Sequence, residues 1–112
     1  MTYEIIVSPE ADEQLQQVSE WWHVNRPKAP DLFVDEFVRA IEMLQVAPDV
    51  GPRFARASIP GVRRLLLHKC RYHLYYLHDS EHAAIHILGV WSTARGADPP
   101  LPHTLGDGRR IR

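Results

Sequence analysis

The chain reads as α+β: an N-terminal strand, an antiparallel two-helix hairpin, a three-stranded antiparallel meander and an extended C-terminal tail. Three observations predict this. Apolar residues recur at helical spacing through residues 9–46, β-forming residues crowd into three short runs between residues 62 and 91, and proline and glycine punctuate the chain between them. A length of 112 residues suits one domain, read here as residues 1–98 followed by a tail at 99–112.

Tyr3-Glu4-Ile5-Ile6-Val7 has strand composition. Ser8-Pro9-Glu10 then opens a helix: the serine can cap, proline suits the first turn, and Glu10, Asp12 and Glu13 suit the positive end of the dipole. Ala11, Leu15, Val18 and Trp22 form its buried stripe, and the helix ends near His23 to Asn25, ahead of Pro27. Trp21 and Trp22 are adjacent, so they cannot face the same core, and one of them is expected at the surface.

Ala29-Pro30-Asp31 opens a second helix whose stripe is Phe33, Phe37, Ile41 and Leu44, with Val34 and Val38 expected to widen it. The short connection makes the two helices antiparallel neighbours. Pro48, Gly51, Pro52 and Pro60 mark a loop. Val62 to Leu67, Arg71 to Leu77 and Ala83 to Trp91 are the meander strands. Alternation places Tyr72, Leu74 and Tyr76 on one face and Arg71, His73 and Tyr75 on the other. In the last strand Ile85, Ile87 and Gly89 oppose His86, Leu88 and Val90, and the pattern leaves open which face meets the helices. Ala97 to Arg112 carries three prolines and little periodicity, so it reads as a tail ordered only if something holds it.

Charge is asymmetric. Residues 1–50 hold three basic and ten acidic residues, whereas residues 51–112 hold ten basic and four acidic. Either one surface meets an acidic macromolecule, or the acidic helices pair with the basic strands inside the fold. No apolar run is long enough to span a bilayer and Met1 to Val7 lacks a secretory pattern, so a cytoplasmic protein without a membrane partner is expected. Cys70 is the single cysteine, which excludes an intrachain disulfide. His82 and His86 flank a strand, about 13 Å apart at roughly 3.3 Å per residue, so no metal site is expected. No phosphate loop and no serine hydrolase signature is present.

Val7-Ser8-Pro9-Glu10-Ala11 with Leu15, Phe33-Val34-Asp35-Glu36-Phe37 with Ile41 and Leu44, Pro48-Asp49-Val50-Gly51, Gly61-Val62-Arg63, Tyr72-His73-Leu74-Tyr75-Tyr76, and Ile85-His86-Ile87-Leu88 followed by Ala94-Arg95 stand in an order that resembles the RelE/ParE family of type II toxin–antitoxin toxins, over about residues 3–98. The resemblance implies a cytoplasmic, growth-inhibiting toxin, often tied to plasmid stabilization, without cofactor. It also implies a cognate antitoxin that lays a helix and an extended strand across the toxin, a sheet edge being a natural dock.

The family divides into two activities. RelE-like members cleave messenger RNA on the ribosome through the RNA's own 2′-hydroxyl, which needs cations around the phosphate and groups that move protons. In this chain Arg95, Arg63, Arg71 and His73 are the candidates for that chemistry. Many relatives carry a histidine where Trp91-Ser92-Thr93 stands, and Gly96 to Leu101 offers no tyrosine after Arg95, so the set is incomplete. ParE-like members inhibit DNA gyrase and need no such set. The ParE-like reading is preferred, with Arg64, Lys69, Trp91 and Arg95 as target-binding candidates and the RelE-like ribonuclease as the alternative.

Overall fold

The computed structural model describes residues 2–106 and 108–111. Its elements are β1 (Glu4–Val7), α1 (Pro9–Asn25), α2 (Leu32–Val46), β2 (Arg63–Leu67), β3 (Tyr72–Asp79), β4 (Ala84–Ser92) and β5 (Arg109–Arg110). Both helices pack on one face of a single sheet ordered β2-β3-β4-β1-β5. β2, β3 and β4 form the expected antiparallel meander, and β1 joins β4 in parallel. No described helix is long and apolar enough to cross a membrane.

Local chemistry explains the helices. Ser8 Oγ accepts the Ala11 N–H at 3.1 Å, Pro9 occupies the first turn, and the α1 chain ends as the Arg26 N–H closes on the Trp22 carbonyl. Ala11 and Trp22 are buried, with Leu15 and Val18 packed beside them. Trp22 is 7% exposed and Trp21 44%, as adjacency on a helix requires. Phe33, Phe37, Ala40 and Leu44 form the buried stripe of α2. Val34 and Val38 do not widen it: both are exposed, because the α2 stripe points at the sheet and these two positions rotate away from it.

Tyr72, Leu74 and Tyr76 turn toward the helices and join Ile5, Val7, Ile85 and Ile87 in the main core. Full burial of one such aliphatic side chain contributes about 1.5–3 kcal/mol. The expected alternation fails in β4. Tyr75 pairs with Gly89 and Tyr76 with Ile87, so Leu88 is an extra residue in the ladder. Leu88 therefore lies with Tyr75 on the outer face, and Val90 returns to the helix side beside Ile85 and Ile87 rather than opposing them. The Val90 N–H donates to Gln14 Oε1 of α1 at 2.8 Å.

The tail is also more than a loose extension. Arg109–Arg110 pair antiparallel with β1, giving five strands where the sequence suggested four. Periodicity could not reveal a two-residue strand.

The β2–β3 turn is held from below. Both Glu36 carboxylate oxygens accept the Lys69 N–H, and one also accepts the Cys70 N–H at 2.8 Å. Burial pushes the Glu36 carboxyl up, but these donors outweigh it and leave the group below its ordinary range. Burial beside Glu36 pushes the Cys70 thiol up to about 12, so the one cysteine is an inert packing residue.

Candidate target-binding face

The sheet face opposite the helices carries a small second core of Phe54, Val62, Tyr75 and Leu88, with Leu77, Trp91 and Leu101 packed against it. Alternation along β2 and β3 brings Arg64, His73 and Tyr75 to this face. Phe54 comes from the loop before β2, held there as its N–H donates to the Val62 carbonyl at 2.8 Å.

Cations and rings interleave across the face. The Arg64 guanidinium lies 5.3 Å from the Phe54 ring, and its Nη1 is 3.5 Å from the Tyr75 hydroxyl. Arg56 sits 5.0 Å from the same Phe54 ring and donates twice to the Asp98 carboxylate, at 2.8 and 3.0 Å. That pairing holds the Asp98 carboxyl below its ordinary range. Phe54 meets Tyr75 edge-on at 5.0 Å, and Tyr75 meets His73 at 6.0 Å. His73 stands opposite Trp91 in the ladder, and the Arg95 guanidinium covers the Trp91 ring at 4.2 Å. Trp91 Nε1 donates to the Ala97 carbonyl at 3.0 Å.

Burial lowers the affinity of the His73 ring for a proton, and the Arg64 charge adds to that effect. The ring can therefore accept a hydrogen bond or a proton among cations that cannot give one up at neutral pH.

The sequence candidates divide. Arg64, His73, Trp91 and Arg95 share the outer face. Lys69 and Arg71 lie in the β2–β3 turn, at the sheet end shared with Arg95, because the Thr93 N–H donates to the Arg71 carbonyl at 3.0 Å. Arg71 takes φ 64°, a left-handed turn position, and is exposed. Arg63 departs from the rest. It projects to the opposite side, donates to the Gly51 carbonyl at 2.8 Å and lies 3.6 Å from Asp49, so it anchors the preceding loop. Phe54 and Leu101 had not been singled out from sequence; the available signal was a large apolar residue inside a proline-rich segment.

His82 and His86 are closer than strand spacing suggests. His82 sits in the turn before β4, so its Nδ1 is 2.9 Å and His86 Nε2 3.5 Å from the same Asp79 Oδ2. Burial pushes the Asp79 carboxyl up, while His82 and His86 pull it below the ordinary range. Among the described residues no group of three or more ligating side chains is arranged to hold a metal ion.

A helical hairpin on a sheet with a bare basic face invites comparison with known proteins. A profile described as the ParE toxin of the type II toxin–antitoxin system parDE matches residues 5–96. The chain belongs to the ParE toxin family. A solved structure titled "Chromosomal ParDE TA system from P. aeruginosa" superposes with a TM-score of 0.63 at 22% identity, covering 81% of this chain and 96% of that one. At that identity the likeness is one of fold. No curated protein matches the chain. Membership of the ParE family places this chain among the toxins of type II toxin–antitoxin systems.

Proposed function

We propose that this ParE-family chain arrests growth by binding DNA gyrase in the cytoplasm, as an inhibitor without catalysis, until its cognate antitoxin neutralises it. One observation carries the choice: the candidate cations do not converge on a proton-transfer pair. Arg63 is tied down on the far side, Arg71 and Lys69 stand at the sheet end, and Arg95 is stacked on Trp91. What remains is a broad basic and aromatic surface, suited to an acidic macromolecular partner. Arg64, Trp91 and Arg95 are its proposed contacts, with Lys69 at the rim. We place the antitoxin's helix along the groove between α2 and β2, where Ala40, Met43, Leu65 and Leu67, rimmed by Glu36, Arg39, His68 and Lys69, wall a 180 Å³ hollow that could seat one of its apolar side chains.

A supercoiling assay with purified gyrase tests this reading, and inhibition is expected. A ribosome-dependent ribonuclease is the second reading. It is favoured by His73, whose affinity for a proton is lowered by burial and by Arg64, lying 6.0 Å ring to ring from Tyr75. Unchanged supercoiling, together with codon-position cuts in messenger RNA, would reverse the preference.

A further inference from the structure

The sheet face away from the helices changes character along its length. Toward β2 and β3 it carries Arg56, Arg64 and Arg95 on aromatic rings. Toward β1 the inward turn of Ile5, Val7, Ile85 and Ile87 leaves Ile6 and His86 on the outer side, beside the displaced Leu88. The tail from Pro100 to Gly106 passes over these three and meets the start of α1. Together they enclose a cavity of 610 Å³, the size of a small-molecule site. Its tail wall lies beyond residues 5–96, so the cavity is not a feature of the matched ParE profile.

The chemistry of the walls selects the sign of a ligand. Ile6, Leu88, Leu101 and Leu105 supply apolar surface. Glu10 adds an exposed carboxylate at the rim. His86 Nε2 lies 3.5 Å from Asp79 Oδ2, which favours the tautomer protonated on that nitrogen and leaves Nδ1 an acceptor. Among the described residues no lysine or arginine lines the cavity. The start of α1 does not make up for this. Ser8 Oγ already accepts the Ala11 N–H at 3.1 Å, Pro9 has no N–H, and Glu10 brings negative charge to the positive end of the dipole. An anion would be repelled by Glu10 and by Asp79 behind His86, whereas a cation is attracted by both.

We propose that this cavity binds a small organic amine, protonated at neutral pH and carrying an apolar body. Glu10 supplies the countercharge and His86 a further acceptor, while the body lies against Ile6, Leu88 and Leu101. Leu101 belongs both to this wall and to the small outer core, and Gly89 leaves room for it: a Cβ there would fall 2.9 Å from Leu101 Cδ2. A bound amine therefore adds contacts to the tail and holds it more firmly on the sheet. The site is separate from Arg64, Trp91 and Arg95, and it stands whether or not gyrase is the toxin's target.

Titration of the full chain with benzylamine at neutral pH, followed through methyl and imidazole NMR signals, tests this. Saturable shifts of Ile6, Leu88, Leu101 and His86 are expected, with a Kd on the order of 1 mM for so small a probe. Benzoate and benzyl alcohol have nearly the same shape without the ammonium group, and each should bind at least about tenfold more weakly. Glu10→Gln keeps the side-chain shape at an exposed position and should weaken benzylamine about tenfold. Glu13→Gln, exposed on the same helix but outside the cavity, should leave the affinity unchanged. Equal binding of benzylamine and either analogue overturns the cation assignment. Absence of saturable shifts by about 10 mM, or an affinity that Glu10→Gln does not alter, overturns the site.

Discussion

The two faces of the sheet are built on opposite rules. The helix-covered face is dry and apolar, from Ile5 and Val7 through Leu74, Tyr76, Ile85 and Ile87 to Phe33, Phe37 and Leu44. The outer face has a smaller buried cluster of Phe54, Val62, Tyr75 and Leu88, and around it arginines lie on aromatic rings in contact with water. The first face makes the fold stable. The second is held in place by that stability and is free to carry charge, so its exposed residues can change with little cost to folding.

The sharpest way to break this contrast is to cut into the first face. Phe33→Ala should destabilise the protein by about 3–5 kcal/mol, measured by urea unfolding. Leu88→Ala, from the smaller outer cluster, should cost nearer the low end of about 2–5 kcal/mol, because the covering loop and tail can settle into the space. An equal loss at both sites would show that the outer cluster is a second full core.

Glu36→Gln should cost about 1–2 kcal/mol, since it weakens charge-assisted bonds from the Lys69 and Cys70 amides. The Glu36 carboxyl is depressed on folding, so its contribution is fully present above the ordinary value of 4.5 and is lost as pH falls through the lower folded value. The gap between wild type and variant in urea titrations should therefore close below pH 4.5, and a gap constant from pH 7 to pH 3 would contradict the depressed carboxyl.

Arg95→Ala should have the smallest effect on stability, under about 1 kcal/mol, because its contact with Trp91 is exposed. It should nevertheless raise the concentration needed for gyrase inhibition about tenfold. A variant that loses stability but keeps full inhibition would move the contact surface elsewhere.

Much of this was legible beforehand. The helix stripes are local patterns, and the serine cap with its proline works within one turn. The surface tryptophan of the Trp21–Trp22 pair follows from helical spacing alone. What was missed is non-local. Val34 and Val38 belong to the same apolar run as Phe33 and Phe37, and only the position of the sheet decides that they face water. The inserted Leu88 turns Val90 inward, and no two-residue period announces a bulge. Arg63 and Arg64 are neighbours of the same type, yet one anchors a loop and the other lies on the outer face.

The acidic first half and basic second half are resolved in the same way. Asp12 and Glu4 meet Arg109 and Arg110, and Asp49 meets Arg63, so part of the imbalance is spent within the fold. Of the remainder, Arg64 and Arg95 lie on the outer face, while Glu13, Glu20, Asp35 and Glu42 stay exposed on the helices.

Amino-acid order determined both helices, the first four strands, their sequence along the chain and the apolar side of each helix, because periodicity and capping act over a few residues. Tertiary structure decided which sheet face stayed uncovered, which arginines reached it and where the tail came to rest. Those outcomes depend on strand order, a bulge and an edge pairing between residues about a hundred positions apart, which no local pattern encodes.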